Sequence, residues 1–543
     1  TESGDITFLN NGSLRTKGLN SFGVMLQSVA GGGGISGSES GQVSLADGND
    51  SSSGDIEFTN LGTIETTGVG AHAVVLQSIS GGGGYVFGGT NIDAFPQGED
   101  RPSGRSGDIT IRNSGDIFAK GLNAIGVFAN TATNGAFVYQ NPDGTIGQQI
   151  QNISDGDEFA GQVRVANSGQ VVASGVGGIG ITKSTNLKQS HGNLYVENLE
   201  GALIQGGPDG AAIQLPTDET ETVINKGMII GGPLGQDPAI RGIRGNDLVE
   251  NYSLIAGVIN IPGSRTQVIN HEGARIEANQ IVLDRRSSFI NEGLLSPNGA
   301  HRLGEVAIAA KYIQSKSGNY VADLEVPTGD TDYLNLIFAS ALDGNIVLVP
   351  TKTGQAIPGS FMSNDILDSG RLPYDSLDFV YPESAVASYE LVPGSQPGTS
   401  LAFEYDVDFS PAGLDPNSKA VGDAVNEIQL AGSTSLEQRL FTAYAYSLPT
   451  VSELNQAYRQ VSGEQNIAFS QSILQVTSNF LDTVQRNIRD VNLDSYNSCS
   501  VLTYSGDQVG ESADQVTPCP RWRAWFETGS YQSSTPGQGS SKQ

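Results

Sequence analysis

Positive charge is scarce in this chain. Lys and Arg together number 29 against 58 Asp and Glu, a formal net charge of −29. Nucleic-acid phosphates need a cationic face, so that partner class is excluded, and an anionic membrane surface would repel the chain as well. Charged residues of either sign make up only 16% of the 543 residues, against ~25% in ordinary globular domains. Long apolar runs are missing too, and nothing approaches the ~18 residues of a membrane-spanning helix. Cys499 and Cys519 are the only cysteines. They form no CxxC pair, which argues against a zinc site, and in an oxidising compartment they would close one local disulfide loop. The histidines are His72, His191, His271 and His301, scattered and without an HExxH pair.

Glycine is what the chain has in excess, at 71 residues, about twice the usual ~7%. The hydrophobic share of 37% is too high for a disordered linker. The glycines fall inside a copied unit. Residues 3–34 read SGDITFLNNGSLRTKGLNSFGVMLQSVAGGGG and residues 53–84 read SGDIEFTNLGTIETTGVGAHAVVLQSISGGGG. A third copy starts at Ser106 without the glycine run, and a shorter fourth at Gly161. Such self-similarity marks a repeat architecture.

The shared kernel is a hydrophobic residue, any residue, Asn, then a small residue and another hydrophobic one. It recurs at Asn10, Asn60, Asn113, Asn167, Asn198, Asn225, Asn251, Asn270 and Asn291. Flanking residues alternate with the period of a strand, as in Ile109 and Ile111 against Thr110 and Arg112. Parallel strands need long returns, and a solenoid supplies them by laying each coil on the last. The nine asparagines then form a structural ladder, amide to amide, and the following glycines supply the backbone angles of a corner. At roughly 20 to 25 residues per coil, residues 1–410 predict about 17 coils and a rod near 80 Å, wound right-handed by the rule for parallel connections.

The GGGG runs lack the GxxxxGK[ST] pattern of a phosphate loop. They read as mouths of loop excursions, SGSESGQVSLADGNDSS at 36–52 and YVFGGTNIDAFPQGEDRPSGRSG at 85–107, held where a rigid scaffold meets partners.

Strand-like alternation continues from Tyr320 through SLAFEYDVDFSPAGL. Asp415-Pro416 then offers an N-cap with proline at the first helical position. TVSE at 450–453 and SGEQ at 462–465 fit capping boxes. Phe469, Ile473, Val476, Phe480, Val484 and Ile488 make one apolar helical face.

This order of parts resembles the bacterial autotransporters, the type V secretion family. GDTDYLNL and LDGNIVLVP look like final passenger coils. LDPNSKAVGDAV and YRQVSGEQNIAFSQSIL look like the helical region ahead of the translocator, although Asn417-Ser418 replaces the usual Asn-Gln and Val461 the usual leucine. RWRAWFETGSY resembles the first strand of an outer-membrane barrel that needs about a dozen, and the LQSxxGGGG copies are similar to repeats of large passengers. Since Thr1 opens inside a repeat, the chain reads as a piece of something longer. The implied fold is mainly β: a right-handed parallel β-helix, a short α-helical junction and the start of an outer-membrane β-barrel. The implied domains are a passenger solenoid at 1–318, a C-terminal β-helix or autochaperone-like region at 319–412, a helical junction at 413–495, and a cysteine loop with the first barrel strand at 496–543.

Family members include serine proteases and lipases. Here no GDSGG or GxSxG surrounds a serine. PGTSLAF offers Ser400 as a would-be nucleophile, but it lies among alternating residues without an upstream His-Gly motif. Asp330 and Asp332 are placed as calcium ligands are, yet GGxGxD is absent and turn chemistry accounts for them. The expectation is therefore a non-enzymatic contact scaffold with no cofactor or metal, at the cell surface or outer membrane of a Gram-negative bacterium, or secreted. Its partners would be its own outer-membrane barrel and a host-surface or glycan ligand or neighbouring copies. The alternatives are the stalk of an enzyme whose catalytic domain lies upstream, and a surface-layer protein.

Overall fold

The computed structural model describes residues 2–37, 51–88, 104–133, 136–150, 160–184, 192–217, 220–243, 245–263, 265–370, 376–432, 435–462, 476–478 and 480–482. The chain divides into Thr1–Arg486 and Asn487–Gln543, and all the described residues belong to the first unit. Cys499, Cys519, RWRAWFETGSY, His191, Phe469, Ile473, Val484, Ile488 and the SGEQ box from Gly463 onward lie outside the described residues.

The β part is three long sheets running side by side, as in a β-solenoid. As far as Leu283 each lap contributes one strand to each sheet, and each strand pairs parallel with its counterpart a lap away. The first lap contributes Ile6–Asn10, Ser13–Thr16 and Val24–Val29. Among the described residues the first two sheets hold 14 and 13 strands and the third holds eight, ending at Ile281–Leu283. The alternation in sequence becomes alternation in burial. Phe58, Ile111, Val165, Val196, Val223, Val249 and Val268 stack inward in the first sheet, facing Ile64, Ile117, Val171, Ile204, Ile229, Ile255 and Ile276 of the second. Burying each such side chain is worth ~1.5–3 kcal/mol, and β-branched residues suit the pleat.

All nine predicted asparagines occupy one register position at the end of a first-sheet strand. Each donates from Nδ2 to Oδ1 of the next at 2.7–2.9 Å. The second N–H of the amide reaches the carbonyl opening the next lap's second-sheet strand, as with Asn167 to Leu203 O at 3.2 Å and Asn225 to Leu254 O at 2.9 Å. The ladder thus ties two sheets as well as successive laps. Gln314, which the kernel does not find, takes the tenth position and accepts from Asn291 at 3.3 Å.

Three expectations need correction. Corner glycines supply special backbone angles only in part: Gly201 and Gly273 have φ of 78° and 79°, but those at Gly62 and Gly115 do not have positive φ. Their reason is closeness, since a Cβ on Gly62 would sit 2.0 Å from the carbonyl oxygen of Gly12 and one on Gly115 equally near that of Gly62. The lap count is also lower than 17. Successive ladder residues lie 50, 53, 54, 31, 27, 26, 19 and 21 positions apart, because stacking fixes only the strands and leaves the returns free. Twelve strands of the first sheet are joined in parallel, a stack of ~50 Å. Lastly, parallel winding does not run to residue 410. Gly359–Asp368 pairs antiparallel with Ser400–Val407, which pairs antiparallel with Ala387–Pro393. Such pairing needs only a tight turn.

Helices α1 (Pro416–Ala431), α2 (Leu436–Tyr446) and α3 (Val451–Val461) follow. Asp415 caps α1 by accepting the Ser418 N–H, with Pro416 at the first position, and the capping box at Thr450 and Glu453 opens α3. A second box at Ser435 and Gln438 opens α2. Tyr458 donates to Phe409 O at 2.9 Å and the Tyr389 and Tyr446 hydroxyls bond each other, which docks the helices on the antiparallel end.

Buried carboxylates punctuate the corners. Asp332 accepts the N–H groups of Gly304 (2.7 Å) and Asp323 (3.0 Å) through its two oxygens, opposite the equally buried Asp323. Burial, with the neighbouring Asp323 charge, pushes its carboxyl up to about 8. Asp247 accepts the Glu221 N–H at 3.0 Å, and burial pushes it up to about 7. Burial raises Glu221 as well, against the opposing charge of Lys183.

Two outcomes are expected from these contacts. Asn167→Ala removes a mid-ladder amide and strands its neighbours, so urea unfolding should show ~2–4 kcal/mol lost, against ~1 for Asn10→Ala at the first rung. The carboxyls of Asp332 and Asp247 hold their protons more tightly folded than unfolded. The stability they contribute is therefore complete below the ordinary carboxylate range and lost as pH rises through about 7 and 8. Thermal midpoints should fall across that window, and Asp332→Asn should flatten the fall.

Candidate contact surface

The third-sheet strands Val24–Val29 and Val74–Ile79 run straight into the glycine copies. Gly31 to Gly34 and Gly81 to Gly84 all have positive φ, between 73° and 141°. Any side chain would be strained there. Space excludes one as well, since a Cβ on Gly33 would lie 1.8 Å from Gly83 O and one on Gly84 1.9 Å from Gly34 O. The runs are therefore not simply the mouths of loops. Their first two glycines turn the chain, and the last two are strand residues in a fourth sheet.

That sheet orders Gly33–Gly37, Gly83–Phe87 and Ala136–Gln140 in parallel, with Ile146–Ile150 returning antiparallel. The third copy joins it without a glycine run. The sheet covers the outer face of the third sheet. Tyr85 and Val138 pack there on Val75, Ile125 and Phe128, flanked by Phe22, Met25 and Phe87. The greater part of the two excursions, 38–50 and 89–103, lies outside the described residues.

The junction between these sheets is polar inside. His72 is wholly buried, and Phe22 stacks on it at 5.3 Å. Its Nδ1 accepts the Ile125 N–H at 3.1 Å and its Nε2 lies 3.1 Å from Gln140 Nε2, which donates to Gly70 O at 2.6 Å. Burial pushes the imidazole down to about 3, so it stays neutral at physiological pH and serves as a packing and hydrogen-bonding piece. Gln27 donates to Gln77 at 2.6 Å, a second amide ladder. Both glutamines were visible in the LQS copies, and the signal was their identical offset from the glycines.

The remaining sequence candidates do not converge. Ser400 is buried at the start of its strand, where its Oγ accepts the Gln396 N–H at 2.8 Å. Asp330 is exposed and accepts from Asn364 at 3.0 Å, whereas Asp332, just past the end of that two-residue strand, is buried. His271 stacks on Tyr252 at 4.1 Å between Glu250 and Glu292, and His301 occupies a left-handed turn with φ 63°. Among the described residues no three His, Cys, Asp or Glu gather as a metal site would need.

Gly84→Val is expected to unseat the fourth sheet alone. Amide exchange at residues 83–87 should accelerate about ten- to hundredfold while the strands at residues 109–119 keep their protection. No family model and no curated protein matches this chain.

Proposed function

We propose that the chain is the passenger part of a bacterial autotransporter, a right-handed β-helix shown at the cell surface or secreted, which acts by contact and carries no catalytic site. In this reading residues 319–412 form its autochaperone-like end and residues 413–495 the helical junction. RWRAWFETGSY is the first strand of its outer-membrane barrel, and Cys499 and Cys519 are bridged before it. The supporting observation is the fourth sheet. The later laps return in as few as 19 residues, yet the first three run to 50 or more and each adds a strand to the fourth sheet, two of them through glycine runs. Stacking does not require that layer, so its selection points to contacts made there, with a host-surface or glycan ligand or with neighbouring copies.

Bacteria displaying the full protein test this. Gly84→Val should lower adhesion to host cells or clumping about tenfold, equivalent to ~1.4 kcal/mol of contact. Ile276→Val, a core change of ~1 kcal/mol far from the fourth sheet, should leave both unchanged. If Gly84→Val alters neither adhesion nor clumping at equal surface abundance, the contact reading falls.

A further inference from the structure

The corner between the second and third sheets carries an apolar column that stacking does not need. The turn there places a left-handed residue in each lap: Asn20 (φ 52°), Gly70 (59°), Asn123 (52°), Gly177 (70°) and Asp209 (59°). The residue before it is Leu19, Val69, Leu122, Val176 and Pro208 in turn. Hydrogen bonds hold these turns in register, from Asn20 N to Val69 O, Gly70 N to Leu122 O, Asn123 N to Val176 O and Gly177 N to Pro208 O, at 2.7–3.0 Å. One lap on, Pro233 and Leu234 are exposed beside Gly232 and Gly235, both of positive φ. Leu19, Leu122, Val176 and Leu234 are 63, 42, 49 and 54% exposed, and Val69 and Pro208 between them are half-buried. A single exposed leucine means nothing, whereas a contiguous line marks an interaction site. Six laps at ~4.8 Å make a ridge ~24 Å long.

We infer that this ridge pairs with the same ridge of a second copy, antiparallel, about a two-fold axis between the laps of Leu122 and Val176. The inference rests on the contact-scaffold reading and names one partner for it. Charge selects the partner and its direction. With a net charge of −29, two copies repel over most of their surface. Beside the ridge the charges balance, with Lys17, Lys120, Arg241 and Arg302 against Glu65, Asp143, Asp209 and Asp237. Parallel pairing would set Lys17 against Lys17 and Asp237 against Asp237. Antiparallel pairing brings Lys17 of one copy to the lap of Asp237 in the other. Pitch also selects it, because a second stack of strands repeats its side chains at the same ~4.8 Å. The ridge offers roughly 300 Å² per copy, below the ~800 Å² of a stable complex. The pairing is therefore weak between free chains and gains strength where many copies are displayed together.

Single cysteines read the geometry directly. In the full chain with Cys499→Ser and Cys519→Ser, Leu122→Cys alone and Val176→Cys alone should each give dimers with a thiol cross-linker of ~10 Å reach. Leu19→Cys alone should not, because its two copies would lie ~24 Å apart, but an equal mixture of Leu19→Cys and Leu234→Cys chains should. Each position is exposed, so folding is not at stake. Leu19→Cys linking to itself as readily as Leu122→Cys would overturn the antiparallel register, and no dimer at any position would overturn the pairing. Clumping lost in Leu122→Lys/Val176→Lys bacteria, with host-cell adhesion retained, supports the inference. Unchanged clumping in that double variant removes it and leaves the contact-scaffold reading to the fourth-sheet test.

Discussion

An amide that donates to its copy one lap away can do so only if every lap returns to the same register. That single requirement organises the molecule. The Asn10-to-Asn291 ladder places one hydrogen-bonded side chain at the end of nine successive first-sheet strands, and its second N–H anchors the strand that opens the next face. In a buried setting an unmade amide bond is strongly destabilising, so a slip of one residue would cost a rung as well as turn the hydrophobic set outward. Between rungs the chain is free. Laps of 19 and of 54 residues stack equally well, which lets an added layer grow without disturbing the core.

Glycine plays two different parts in this scheme. At corners such as Gly62 and Gly115 it keeps stacked backbones close, with ordinary backbone angles, whereas Gly201 and Gly273 take the left-handed angles of a turn. In the fourfold runs the first two glycines swing the chain across the third sheet, and the last two, as strand residues without side chains, let the copies lie on one another. The layer so formed is held by Tyr85, Val138 and the buried His72–Gln140 contact.

Charge is divided between outside and inside. The acid excess lies outside, while Glu221, Asp247, Asp323 and Asp332 are drawn inside, where burial raises the pKa of each carboxyl. The corner ridge is different, apolar at its crest and balanced at its flanks.

The strand alternation, the nine ladder positions, the Asp415-Pro416 helix start and the Thr450 capping box were all legible in the residues, because each depends on a local pattern repeated at a fixed place in the lap. Gln314 was not, since only stacking reveals that a longer amide fills the tenth rung. Nor were the fourth sheet, the antiparallel close at Ser400–Val407 and the inward Asp332, because a glycine run, an alternating strand and a carboxylate each fit several neighbours in sequence. The amino-acid order by itself determined what every lap must contain. Which returns would cross a face, which edge would close and which side chains would share a column were decided only when the laps lay on one another, because those contacts join residues tens of positions apart.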